Sequence, residues 1–160
     1  MTGRIAWSGV LLALLLSIGG AKAGSAAEES PAEASGLEAR LRLEREDGRP
    51  LGSLRPGETL RLVLTLRNAA DSVRRLSLPT AQTHDFAIAS DGGRELWRWS
   101  AGRRFAQVLG ELELRPGEER RFLATWHCAP GSPPGRYRAE ASLTARGAGI
   151  RVEPVEFRIR

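Results

Sequence analysis

Apolar residues alternate with polar ones at every second position in several segments of this 160-residue chain. Leucine and alanine alternate with charged residues at 37–43, and the same spacing recurs at 60–66, 122–126 and 137–145. A period of two places one row of side chains on one face of a β-strand, whereas an amphipathic helix needs a period of 3.6. These segments therefore predict half-buried strands.

Shorter strands are predicted at 73–78, 85–89 and 95–99, and a last strand follows a bend near Pro154, where the parity of the apolar residues changes. Turn sequences separate the strands. They are Asp47-Gly48, Pro56-Gly57, Asp91-Gly92-Gly93, Pro116-Gly117 and Pro133-Pro134-Gly135. Seven to nine strands at this spacing predict an all-β fold, an immunoglobulin-like antiparallel β-sandwich.

One turn sequence occurs twice. Residues 54–58 and 114–118 both read Leu-Arg-Pro-Gly-Glu, and each copy precedes a strong strand. The two copies are either equivalent turns of the sandwich or one favourable turn used twice.

The N-terminal 36 residues differ from the rest. Residues 1–23 combine a basic start, an apolar run of about 14 residues and an Ala-Lys-Ala cleavage sequence, as in a signal peptide. The run is shorter than the ~18–20 residues of a membrane span. We expect an exported, periplasmic or extracellular protein, with an uncleaved anchor as the alternative. Residues 24–36 predict a flexible tether, and 37–160 the folded domain.

The charge pattern does not favour nucleic acid as a partner. The chain carries a net charge of +5, but two basic residues lie in the signal peptide, which leaves 22 basic against 19 acidic residues. Most arginines alternate with apolar residues or lie beside glutamate, which is typical of the solvated face of a sheet.

Few residues point to catalysis or to a metal. The single cysteine, Cys128, excludes an internal disulfide and a paired-cysteine zinc or redox motif. His84 and Asp85 are adjacent in a predicted strand, so they point to opposite faces and make a poor catalytic pair. The same holds for His127 and Cys128 as metal ligands. We expect a protein that is not an enzyme and that has no cofactor, no metal site and, once the signal is cleaved, no membrane span.

The densest aromatic stretch is Trp97-Arg98-Trp99. At a period of two both tryptophans share one face of a strand. They are either core residues or, with one of them exposed, an anchor for an interface.

An ordered series of motifs resembles the BsuPI family of bacterial proteinase inhibitors. The family pattern S-G-Q-x-Y-D-F resembles residues 80–86, D-x-x-G-x-x-[VL]-W-R-W-S resembles residues 91–100, and F-x-Q and L-x-P-G-E match residues 105–107 and 114–118. Thr80, Ala81 and His84 stand where the family has Ser, Gly and Tyr. The matching signature residues are Gln82, Asp85, Phe86, Trp97, Arg98, Trp99, Ser100, Phe105 and Gln107.

The resemblance implies an immunoglobulin-like sandwich that binds a proteinase of the serine class, and a mostly structural role for the signature residues. Hydrogen bonds between a buried Asp85 or Gln107 and the backbone would explain why polar residues stand at these positions. The alternative is a non-inhibitory module that assembles with or recruits another envelope protein.

An inhibitor needs a loop that is held in its binding conformation before it binds. Two segments are candidates for contact with a partner. One carries the basic residues Arg103 and Arg104, and the other is stiffened by Pro130, Pro133 and Pro134. Either is equally explicable as an ordinary surface connection.

Overall fold

The computed structural model describes residues 36–146 and 149–160, which form nine β-strands. The predicted signal peptide and all but the last residue of the predicted tether lie outside the described residues. In chain order the strands are β1 (Leu37–Arg45), β2 (Thr59–Asn68), β3 (Arg74–Leu78), β4 (His84–Ser90), β5 (Glu95–Arg98), β6 (Gly110–Leu114), β7 (Glu119–His127), β8 (Gly135–Leu143) and β9 (Val155–Ile159).

All strand pairs are antiparallel, and they form three sheets with the orders β1-β2-β7, β5-β4-β8-β9 and β3-β6. The first two sheets pack face to face, because buried residues from both belong to one cluster. This arrangement confirms the predicted all-β, immunoglobulin-like sandwich.

The main core contains the apolar residues that the alternating segments predict to be buried. Leu60, Leu62 and Leu64 of β2 are fully buried and face Phe86 and Ile88 of β4 across the sandwich. Burying one such side chain stabilises the fold by about 1.5–3 kcal/mol relative to leaving it exposed. These central strands therefore carry much of the stability.

A smaller cluster closes one end of the sandwich. It joins Leu37 of β1 and Leu66 of β2 to Leu76 of β3 and Leu114 of β6. The short β3-β6 pair is thereby fixed to the end of the β1-β2-β7 sheet. Because the segment between β5 and β6 ends at Gly110 of β6, this pair also fixes the position of the end of that segment.

Asn68 is the buried polar residue that the sequence did not single out. It is fully buried at the end of β2, where its amide donates to the carbonyl oxygens of Ser72 at 2.8 Å and Leu114 at 3.0 Å, and accepts from the N–H of Ala70 at 3.0 Å. A buried amide needs such partners to offset its lost hydration.

Tyr137 makes a contact that is characteristic of immunoglobulin-like sandwiches. Its hydroxyl donates to the carbonyl oxygen of Pro133, four residues upstream, at 2.7 Å. Burial raises the pKa of Tyr137 above its usual value. The contact fixes the β7–β8 connection against the start of β8.

The two Leu-Arg-Pro-Gly-Glu segments form the same turn. The carboxylate of Glu58 accepts the N–H of Arg55 at 2.8 Å, and that of Glu118 accepts the N–H of Arg115 at 2.9 Å. The glycine has a φ of 88° in the first turn and 75° in the second, a left-handed conformation that glycine adopts without strain. The turns lead into β2 and β7, which are antiparallel neighbours.

The strand boundaries differ from the predicted ones in small ways. Strand β5 ends at Arg98, and its pairing with β4 shifts register at Ile88/Ala89, so that the extra residue Leu96 is exposed. The alternation before Pro154 forms no strand, and β9 starts directly after that proline, as the predicted bend requires. Among the described residues there is no helix that could cross a membrane.

Candidate functional site

Most of the signature residues meet at the base of one long connection, residues 99–109, which we call the β5–β6 loop. Asp85 and Phe86 of β4 lie beside Arg98, Trp99 and Ser100 at the start of this loop. Two signature residues lie further away: Trp97 pairs with Ile88 and packs against the main core, and Gln107 is near the loop's end.

The carboxylate of Asp85 organises the base of the loop. Its Oδ1 accepts the N–H groups of Phe86 at 2.9 Å and Ser100 at 3.1 Å, and its Oδ2 accepts the Ser100 hydroxyl at 2.7 Å and an Arg98 N–H at 3.0 Å. Burial opposes ionisation of this carboxyl, but the hydrogen bonds outweigh it and hold the pKa of Asp85 below its usual value. The predicted hydrogen bonding of a buried Asp85 is present.

Arg98 connects Asp85 to a second carboxylate. Its guanidinium donates to Asp85 and, through Nε, to both oxygens of Glu95 at 3.1 Å, with a further contact from Nη2 to Glu95. Hydrogen bonds to Glu95 and then to Asp85 raise the pKa of Arg98. The three charged groups fasten β5 to β4 just before the loop.

His84 points to the opposite side of β4 from Asp85, as the strand period predicts. Its ring stacks on Trp99 with 4.4 Å between centroids and lies 4.7 Å from the ring of Phe122. Burial lowers the pKa of His84, the charge of Asp85 opposes this, and Arg103 adds to the lowering. A neutral histidine therefore fits this aromatic stack.

Arg103 turns back onto the loop. Its Nε donates to the carbonyl oxygen of Trp99 at 2.8 Å, and its guanidinium carbon lies 4.4 Å from the centroid of the Trp99 ring. This cation–π contact covers an indole that is already stacked on His84. Trp99 is thus a partly buried packing residue, while Arg104, the other basic residue proposed for partner contact, is exposed.

The middle of the loop is held by ring packing and by a backbone bond. Phe105 packs on Trp99 with 5.8 Å between ring centroids, and the carbonyl oxygen of Ala106 accepts the N–H of Ala81 at 3.0 Å. Gln82, next to Ala81, donates to the carbonyl oxygen of His84 at 3.1 Å, and its own carbonyl accepts the hydroxyl of Thr144. The loop is therefore tied through residues 81–82 to β4 and to the end of β8.

The last part of the loop points into solvent. Leu109 is 88% exposed and Val108 58% exposed, immediately before Gly110 pairs with Leu78. Gln107 is also exposed and donates to the carbonyl oxygen of Phe105 at 3.2 Å, so it makes the backbone bond that we expected but outside the core. Sequence reasoning missed Val108 and Leu109. The available signal was two large apolar residues in a stretch without alternation.

The proline-containing connection lies at the other end of the sandwich. His84 pairs with Leu143 at the end of the sandwich that carries the β5–β6 loop. Ser90 pairs with Tyr137 at the opposite end, where residues 128–134 connect β7 to β8. Pro130, Pro133 and Pro134 are exposed there. The two segments proposed for partner contact therefore do not form one surface.

Within residues 36–146 and 149–160, no group of three or more histidine, cysteine or acidic side chains is arranged to hold a metal ion. Cys128 is buried with a free thiol, 3.9 Å from the carbonyl oxygen of Ala129. It lies in the main core cluster with the apolar residues. The described residues thus concentrate their buried polar contacts at the base of the β5–β6 loop and at Asn68.

The fold and this site define a class of small antiparallel β-sandwich with one exposed loop fixed by a buried carboxylate. The chain belongs to the BsuPI family, described as intracellular proteinase inhibitors, because the family model matches residues 52–148. That range contains the β5–β6 loop, Asp85 and both ends of the aromatic stack. Comparison of the sequence with curated proteins gives no match.

Several solved structures are similar at low identity. They include the Pseudomonas fluorescens alkylpurine DNA glycosylase AlkC bound to DNA with an abasic site analogue (17% identity, 78% of this chain and 30% of that chain, TM-score 0.45). The C-terminal domain of wzt is 11% identical, with 78% of this chain and 74% of that chain covered and a TM-score of 0.49. Spo0M, a sporulation control protein from Bacillus subtilis, is 16% identical, with 77% of this chain and 49% of that chain covered and a TM-score of 0.45. This chain thus spans less than a third of AlkC and about half of Spo0M, and at these scores no function transfers.

Proposed function

We propose that this protein inhibits a serine proteinase and that the β5–β6 loop enters the proteinase's active-site cleft. The observation that carries the proposal is the 88% exposure of Leu109 on a loop that is fastened on both sides of it. Membership of a family of proteinase inhibitors supports the activity, and the loop geometry supports the assignment of the contact surface.

Anchoring matters because an inhibitor that must order its loop on binding loses affinity to that ordering. The contacts of Ser100 with Asp85, of Phe105 with Trp99 and of Ala106 with Ala81 are all present in the free protein. The segment that remains to be ordered is short, residues 107–109. Fixed ends also oppose turnover, since the two new ends of a cleaved loop would stay close together.

The side chains at the exposed segment indicate the type of pocket. A large apolar side chain suits a proteinase with an apolar primary pocket, whereas a basic side chain suits one with an acid at its base. Leu109 projects into solvent, while Arg103 is held against Trp99. The proposed target is therefore a subtilisin-like or chymotrypsin-like enzyme, with Arg104 and a trypsin-like enzyme as the second choice.

We also propose that the inhibitor acts outside the cytoplasm. The reason is the signal-peptide pattern of residues 1–23, although the family is described by an intracellular inhibitor. An exported inhibitor would meet secreted or envelope proteinases. The alternative function, recruitment of another envelope protein, has no support from the family match.

The test is a titration of active proteinases with the purified protein. The panel contains subtilisin-like, chymotrypsin-like, trypsin-like, metallo- and cysteine proteinases, and cleavage of the protein is followed by mass spectrometry in parallel. We expect stoichiometric loss of subtilisin-like or chymotrypsin-like activity and a slow cut within residues 107–110. Full residual activity across the panel, with the protein folded and intact, would contradict inhibition.

A further inference from the structure

The outer face of the β1-β2-β7 sheet, which points away from the core, carries a cluster of arginines. Register places Arg40 of β1 and Arg121 of β7 on either side of Thr65 in one cross-strand row. Arg42 lies in the next row and Arg67 in the row before. Together with Arg151, these residues line a groove of about 900 Å³, which we call the arginine face.

The guanidinium groups of this face are not neutralised within the described part of the chain. No carboxylate of residues 36–146 or 149–160 lies within 4.0 Å of Arg40, Arg42, Arg67, Arg121 or Arg151. Elsewhere Arg75 and Arg98 contact carboxylates at 3.0 Å. The five arginines and the two glutamates of the groove, Glu38 and Glu119, leave it with a net positive charge that an anionic ligand would offset.

A buried apolar residue lies beside the groove on the same face. Val63 is fully buried although it lies on the outer face, and register places it between Arg42 and Leu123. Arginine covers apolar surface with its aliphatic stem and keeps the guanidinium at the surface. The charged heads are therefore presented from a rigid sheet, at fixed strand spacings.

We propose that the arginine face binds an acidic protein segment in extended conformation. Arg40 and Arg42 are two residues apart on one strand, so their side chains are about 6.8 Å apart, the spacing of alternate side chains in an extended peptide. Each planar guanidinium can donate two parallel hydrogen bonds to one carboxylate. Alternating acidic residues would thus match successive arginines.

A dense polyanion fits this face less well. Glu38 and Glu119 flank Arg67 in one cross-strand row, and both line the groove. Their carboxylates would repel a closely spaced series of phosphates, whereas a peptide can place neutral side chains there. The charge pattern therefore favours separated carboxylates.

The test is fluorescence anisotropy of the purified protein with a labelled decapeptide of alternating glutamate and alanine. The double variant Arg40→Gln/Arg121→Gln removes the charges that flank Thr65. The matched control is Arg136→Gln/Arg158→Gln, a directly paired arginine row on the other sheet. Proteinase inhibition is measured on the same samples, because this site is distinct from the β5–β6 loop.

We expect saturable binding that the first double variant weakens about three- to tenfold and that the control leaves unchanged. Binding should also fall with added salt and be absent for an alternating lysine–alanine decapeptide. Absence of binding, equal losses in both double variants, tighter binding of inorganic polyphosphate than of the peptide, or self-association of the protein through this face would each overturn the proposal.

Discussion

Asp85 holds Ser100 with both of its carboxylate oxygens, accepting the backbone N–H at 3.1 Å and the hydroxyl at 2.7 Å. This double contact joins the second residue of the β5–β6 loop to the start of β4. Because Oδ2 also accepts an N–H of Arg98, one buried carboxylate fixes both the end of β5 and the direction in which the loop leaves it.

Replacing Asp85 should destabilise the protein and weaken inhibition together. In Asp85→Asn an NH2 group replaces the Oδ2 oxygen that accepts the Arg98 N–H and the Ser100 hydroxyl, and we expect a loss of about 2–4 kcal/mol in the free energy of unfolding. Urea denaturation measures this. Asp91→Asn, in an exposed turn, is the matched control and should change stability by less than about 0.5 kcal/mol; an equal loss in both variants would contradict the role of Asp85.

The contribution of Asp85 should depend on pH. Its pKa is lower in the folded state than the ordinary value of 3.8, so its stabilising effect is complete above that value and is lost as the pH falls through the folded pKa. The difference in unfolding free energy between the wild type and Asp85→Asn should therefore narrow below about pH 4. A difference that stays constant down to pH 2 would argue against an ionised Asp85.

His84 should lower stability in mild acid. Burial in the aromatic stack lowers its pKa below 6.5, so the unfolded chain takes up a proton at a pH where the folded protein does not. Stability should be highest above pH 6.5 and decline as the pH falls below it. In His84→Tyr this decline should disappear, while His127→Gln, which removes the exposed histidine, should retain it. An unchanged decline in His84→Tyr would assign the effect elsewhere.

Asn68 should be as important for folding as an apolar core residue. Asn68→Ala removes three hydrogen bonds and leaves the buried carbonyl of Leu114 without its side-chain partner, which should cost about 2–4 kcal/mol. Thermal and urea unfolding measure the loss. Ser72→Ala keeps the backbone carbonyl that Asn68 uses and should be nearly neutral, so similar losses in the two variants would contradict this account.

Much of the fold could be predicted from the sequence because alternation is a local signal. Strands β1, β2 and β7 begin and end close to the expected residues, and the sandwich follows from their one-sided burial. Trp97 and Trp99 do pack against the main core. The bulge at Leu96 was not foreseen, since register depends on the partner strand.

The candidate site was only partly predictable, because its contacts are long-range. The sequence predicts hydrogen bonds for a buried Asp85, but its partners Arg98 and Ser100 lie 13 and 15 residues away. The sequence offers Arg103 for partner contact, but it does not reveal the contact of Arg103 with Trp99. It predicts only a solvated surface for the arginine face, because no sequence pattern reveals that Arg40 and Arg121 share a row.

The most direct test of the central claim is the inhibition constant of Leu109→Ala beside that of Leu123→Ala, against the most strongly inhibited proteinase of the panel. Both leucines are exposed, but Leu123 lies on the outer face of β7, away from the loop. We predict that Leu109→Ala raises the constant roughly 30-fold, as for a hot-spot residue, and that Leu123→Ala leaves it unchanged. Equal inhibition by the wild type and Leu109→Ala would contradict the assignment of this loop as the inhibitory surface.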